Sequence, residues 1–219
     1  MAVSKLGREI IKDIDTTISE LRSMRFLRDE NGISQHTLTG NLFEVSFHGK
    51  NSAGGIMYDK HISCSHLMDV LLTYRQYTVL LYDKSIIQAE FLIDGNTITK
   101  ERLVFIKKHN KIWGTDEIDE YDANDEDWFS EDDGIPILIR IDYDPSEHKE
   151  CYHASSHLTL SNHESCRIPM KQAVTFSEFV RFILYHFYDV QLHKSEYRLD
   201  GPEDITVSEK KMIHINWDA

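Results

Sequence analysis

Between residues 76 and 107 the chain carries three runs rich in Val, Ile, Leu, Tyr and Phe, at 76–82, 85–93 and 97–107. Only Asp83-Lys84 and Asp94-Gly95-Asn96 separate them. Links this short can join antiparallel neighbours but not parallel strands, which need a crossover of a dozen or more residues. This stretch therefore predicts an antiparallel meander, and the rest of the chain must pack against it. Within the second run Gln88 and Glu90 share one face and alternate with Ile87, Ala89 and Phe91. In the third run Arg102 is placed to stand opposite Glu90 on the adjoining strand.

The flanking segments supply helices and further strands. Residues 5–22 set Leu6, Ile10, Ile11, Ile14, Ile18 and Leu21 at helical spacing, which predicts an amphipathic helix lying on the sheet. Residues 175–188 repeat the pattern with Phe176, Phe179, Val180, Ile183, Leu184 and Phe187, and Thr175 with Glu178 spells a capping box. A third helix is expected over 61–72. Residues 37–48 and 135–143 are expected as strands, 157–160 as a short strand, and 212–217 as a terminal strand. In 135–143, Ile137, Ile139, Ile141 and Tyr143 fall on one face, with Leu138, Arg140 and Asp142 on the other. The expected architecture is α+β: an antiparallel sheet of about five strands, with an N-terminal helix and a C-terminal core helix packed on it.

Composition narrows the class of protein. The chain has 219 residues and a net charge of −13, and one domain spanning 1–219 accounts for that length. Eleven carboxylates and no Lys or Arg lie in 116–133, so an acidic loop insertion is expected at 114–134. Without that segment the chain sits near −2. Charge alone therefore does not exclude a phosphate-bearing ligand elsewhere on the surface. No apolar run approaches the length of a membrane span, so no membrane partner is expected. Three cysteines, Cys64, Cys151 and Cys166, are odd in number and lack zinc spacing, which fits a reducing cytoplasm.

The chain has no P-loop, no GxGxxG after a strand, no GxSxG and no HExxH. What it does have is a dense polar stretch from Arg140 to Pro169, with His148, His153, His157 and His163 among Asp142, Asp144, Cys151, Cys166 and Arg167. Imidazoles titrate near neutrality, so His153 and His157 are candidates for an acid/base pair, with Asp142 as orienter. Arg140 and Arg167 are candidate phosphate clamps, because a guanidinium can donate two parallel hydrogen bonds to an oxyanion. Gln88, Glu90 and Arg102 are expected as supporting residues. Together these are the groups that metal-independent phosphodiester cleavage requires.

Other readings of the same residues stay open. His153, His157 and Asp142 could surround a metal ion, but histidines four apart converge only on a helix, and this segment has a loop-to-strand pattern. Neither metal nor cofactor is expected. Cys166 could act as a thiol nucleophile, though no orienting group is evident. The plainest account makes the histidines backbone partners in polar loops and Arg140–Asp142 an ordinary ion pair.

The combination of SIIQxE (85–90), ERLxF (101–105), PIxIRIDYD (136–144), HxxSHLTL (153–160), CRIP (166–169) and FxxFILxxFY (179–188) resembles an uncharacterised bacterial family, domain of unknown function 2290. The likeness covers roughly residues 10–190 and is most specific over 136–188. It implies a bacterial cytoplasmic protein of one domain and carries no assigned activity. The order of an R-x-D-x-D strand followed by paired histidines is also similar to small toxins of toxin–antitoxin pairs. That similarity implies an effector that cleaves nucleic acid or hydrolyses nucleotides, in a toxin–antitoxin or phage-defence system, with an antitoxin or defence-system protein as partner. The alternative is a non-catalytic interaction protein. In that case the acidic loop, with Trp128 and Phe129 as anchors, docks a basic partner.

Overall fold

The computed structural model describes residues 4–49, 64–107, 137–161, 166–193, 197, 199 and 203–216. Three helices are found among them: α1 (Lys5–Ser23), α2 (Cys64–Thr73) and α3 (Phe176–Tyr188). Nine strands form one sheet: β1 (Leu27–Glu30), β2 (Ile33–Thr39), β3 (Leu42–Phe47), β4 (Val79–Leu81), β5 (Ile86–Asp94), β6 (Thr97–Lys107), β7 (Ile137–Tyr143), β8 (Ser156–Leu160) and β9 (Arg167–Pro169). The α+β class is as expected, but nine strands replace the five or so read from the sequence.

The sheet runs β1-β4-β5-β6-β7-β8-β9, with every neighbour antiparallel. The β2–β3 hairpin joins it through β3, which pairs with the Phe91–Asp94 end of β5 while β4 pairs with Ile86 and Ile87. The single strand expected over 37–48 is this hairpin. Gly40 turns it with φ of +59°, a conformation a β-carbon would disfavour. The terminal strand expected over 212–217 reduces to one parallel bridge, Met170 with Ile215.

Strand alternation gives the sheet two faces of different character. Ile87, Ala89, Phe91, Leu103, Phe105, Ile139, Ile141 and Leu158 point to one face and join Ile10, Ile14, Ile18 and Leu21 of α1 with Phe179, Val180, Ile183 and Leu184 of α3 in the main core. On the other face Ile86, Val104, Ile106 and Leu138 pack under Leu67, Met68 and Leu71 of α2. That second core covers only part of the face. The polar residues of β5 to β9 occupy the rest.

Buried polar contacts fix the helices on the sheet. Thr175 caps α3, and Glu178 completes the box by accepting from the Thr175 backbone at 2.8 Å. Asp13 of α1 accepts from the Ser177 amide at 3.0 Å, so the two helices meet at the positive end of α3. Glu101 of β6 accepts from the Val174 amide with both oxygens at 3.2 Å. At the other end of α3, Tyr188 donates to Asp83 at 2.8 Å, and the buried Lys107 pairs with the same carboxylate. Among the described residues no helix is long and apolar enough to cross a membrane. The acidic stretch at 114–134 lies outside them.

Candidate functional site

The strand register builds two polar rows across the second face. In the first, Glu90 pairs with Arg102, Arg102 with Asp142, and Asp142 with His157. In the second, Gln88 pairs with Val104, Val104 with Arg140, Arg140 with Thr159, and Thr159 with Arg167. Residues directly opposite in an antiparallel pair share a face, with β-carbons about 5 Å apart. Residues two apart along a strand share it too. Seven of the eight site residues expected from sequence therefore share this face: Gln88, Glu90, Arg102, Asp142, His157, Arg140 and Arg167. His153 joins them from the loop before β8, its ring meeting that of His157 edge-on at 4.8 Å between centroids.

Asp142 is the hub. Arg102 Nε donates to one carboxylate oxygen at 2.9 Å, and Arg140 Nε donates to the other. His157 Nε2 lies 3.9 Å from the oxygen that Arg140 holds. The other ring nitrogen, Nδ1, is 2.9 Å from the Ala154 carbonyl. A carbonyl can only accept, so Nδ1 carries the hydrogen and, in the neutral ring, Nε2 presents a lone pair.

Both imidazoles are neutral at pH 7. His157 is 2% exposed, and this burial lowers its pKa to about 4 despite the nearby Asp142. His153 is held below its ordinary value by burial and by the charge of Arg167, against the pull of Glu147, Asp142 and Asp144. In the free protein, then, both rings can take up a proton.

Thr159 and Arg167 differ from the rest of the strip. Thr159 is 1% exposed, and its hydroxyl has no hydrogen-bond partner among the described residues. Arg167 is half-buried, and its Nε is likewise buried without one. Next to the first row a cavity of about 340 Å³ opens, lined by Glu44, Glu90, Lys100, Arg102, Asp142 and Asp144 among others. Lys100 spans it to Asp144 at 2.7 Å.

Some expected residues are employed elsewhere. The Gln88 amide donates to the Gln76 carbonyl at 2.7 Å, so its side chain braces β5 against the segment before β4. His148 lies 4.0 Å from the fully buried Glu209, and His163 is outside the described residues. The dense histidine stretch thus does not assemble as one cluster. Asp142 is committed to two guanidinium groups, and among the described residues no group of three or more His, Cys, Asp or Glu side chains is arranged to hold a metal ion. Thr159, Lys100 and Glu44 were not singled out by sequence. Alternation places Thr159 on the His157 face, but only the β8–β9 pairing reveals the arginine beside it.

No curated protein and no solved structure matches this chain, so the likeness to small toxins has no matching relative behind it. A family model described as an uncharacterized conserved protein (DUF2290) matches residues 26–217. The match begins after α1, later than the residue 10 expected, and continues past residue 190 to take in the C-terminal segment. It includes all nine strands and every residue of the polar strip. The chain belongs to this family of uncharacterized conserved proteins, DUF2290.

Proposed function

We propose that the polar strip is a phosphoester-cleaving site, and that the protein is an effector that cuts ribose phosphodiesters without a metal ion. One observation carries this reading: β-sheet register sets His157 opposite Asp142, with Arg140 on the same carboxylate and His153 against the His157 ring. General acid–base chemistry, a clamped anion and an adjoining cavity then belong to one surface.

The two histidines take different parts. His157, whose depressed pKa keeps it unprotonated, accepts the proton of the ribose 2′-hydroxyl. The 2′-oxygen bonds to phosphorus as the bond to the 5′-oxygen breaks. His153 supplies the proton to that leaving oxygen. It is neutral in the free protein partly because of Arg167, and a phosphate seated on Arg167 offsets this charge. Substrate binding therefore raises His153 into its acid form, helped by Glu147, Asp142 and Asp144. The guanidinium groups stabilise charge on the phosphorane. The cavity beside Arg102 gives the remainder of the nucleotide a place to lie. In a cell such an activity needs a partner to restrain it, which suits a toxin–antitoxin or defence setting.

Induced expression tests the proposal. The natural sequence is expected to arrest growth and degrade RNA, and His157→Ala to abolish both while keeping the circular dichroism of the folded chain. Harmless expression of the natural sequence, with RNA intact, removes the proposal.

A further inference from the structure

We infer that Arg140, Thr159 and Arg167 form a receptor for a single phosphate group, with the Thr159 hydroxyl as its central donor. The inference rests on the phosphoester reading for the identity of the anion, and on geometry for the site itself.

The three residues lie on consecutive strands in direct register, Arg140 on β7, Thr159 on β8 and Arg167 on β9. Two strand spacings put the outer backbones roughly 9–10 Å apart. From that separation two arginine side chains can converge on one tetrahedral anion above the threonine between them. Arg140 Nε is engaged by Asp142, which sets the plane of its guanidinium. The row containing these residues, Gln88, Val104, Arg140, Thr159 and Arg167, has two cations and no carboxylate. The neighbouring row holds two carboxylates, Glu90 and Asp142, against one cation, Arg102, and Asp142 also accepts from Arg140. An anion is therefore drawn to the Arg167 end of the second row in preference to the first.

The buried Thr159 hydroxyl is the second observation that points to a ligand. Folded proteins rarely leave a buried hydroxyl without a partner, yet Thr159 is 1% exposed and its Oγ1 has none among the described residues. Arg167 Nε is in the same condition one strand away. A phosphate between them satisfies both donors, and the part-exposed Arg167 on β9 is the side from which it enters. A phosphate offers three or four acceptor oxygens to these donors, and Arg–phosphate pairs form well in such settings.

Titration calorimetry on the full chain tests the receptor, using inorganic phosphate, a nucleoside 5′-monophosphate and the matching nucleoside as probes. Both phosphates are expected to bind and the nucleoside to bind far more weakly. Thr159→Val is expected to weaken phosphate binding about tenfold, in keeping with the loss of one hydrogen bond to a charged group. Thr159→Ser is expected to restore it, and Arg167→Gln to lose more than Thr159→Val. No binding of inorganic phosphate at millimolar concentration overturns the inference, as does equal affinity in Thr159→Val and the natural chain. Should Thr159→Val fail to fold, an Arg167→Gln variant that binds phosphate unchanged is equally fatal. Phosphate bound through Thr159 without any cleavage of RNA leaves the receptor standing and removes the proposed hydrolysis. Cleavage by Thr159→Val with unchanged KM does the reverse.

Discussion

Asp142 accepts hydrogen bonds from Arg102 and Arg140 at once, one on each oxygen, and so ties β6 to β7 beneath the two histidines. Arg140 is buried and Arg102 part-exposed. Removing the carboxylate leaves the buried guanidinium without its anion. Asp142→Ala is expected to cost about 3 kcal/mol, the lower end for breaking a buried pair because water reaches Arg102. Urea unfolding checks this, and a loss below half that value contradicts it.

A second buried pair lies far from the strip. Lys107 and Asp83 are 4% exposed and half-buried respectively as residues, with side chains at 5% and 7%, and Tyr188 shares the carboxylate. Lys107→Met alone is expected to destabilise by about 3–5 kcal/mol, because it strands the Asp83 charge. Lys107→Met combined with Asp83→Asn is expected to recover much of that loss. Thermal or urea unfolding of the three variants measures the coupling.

His157 makes the fold sensitive to acid. Its folded pKa of about 4 lies below the ordinary 6.5, so the unfolded chain binds the proton more readily. Stability contributed by the neutral ring is present above pH 6.5 and is lost as pH falls toward 4, to a total of roughly 3 kcal/mol. His157→Gln is expected to flatten the stability curve between those limits. An unchanged slope in the variant argues against a buried neutral ring.

Glu101 acts in the opposite direction. Burial raises its pKa well above the ordinary carboxylate value, and the charges of Glu178 and Asp142 add to the effect, while the Val174 amide opposes it. Its contribution to stability is full below the unfolded pKa and declines as pH rises toward the folded value. Glu101→Gln keeps an acceptor for Val174 and has nothing to ionise. The variant is expected to match the natural chain near pH 4 and to exceed it in stability at pH 7. Equal melting temperatures at both pH values contradict this.

Much of the architecture was readable before the structure. The α1 and α3 stripes and the capping box at Thr175 are local patterns, and the meander follows from turns too short for any other path. The Glu90–Arg102 pairing was expected, but counting back from the Asp94-Gly95-Asn96 turn would set Glu90 opposite Glu101; the register shift between Leu92 and Ile93 brings Arg102 there instead. Alternation put Arg140 and Asp142 on one face. Strands β1 and β9 escaped notice because each has only three or four residues. They exist through partners distant in sequence, as when Leu27 pairs with Leu81. The step from Asp142 to His157 was hidden for a similar reason. Residues 144–155 connect their strands through a 3-10 turn and a Lys149–His153 bridge, whose length no periodicity reveals. His148, in the same dense stretch, stands 4.0 Å from Glu209 and away from the strip. Thr159 was overlooked as the middle of an apolar Leu-Thr-Leu.

The rate at which the purified chain cuts an end-labelled RNA oligonucleotide, followed across pH with a chelator present, tests the central claim most directly. The account predicts a bell-shaped profile, with a rising limb near the His157 pKa and a falling limb as His153 loses its proton. His157→Gln is expected to lower the rate at least a hundredfold, the smallest usual contribution of a positioned general base. RNA left whole by the natural chain, or cut equally fast by His157→Gln, would contradict it.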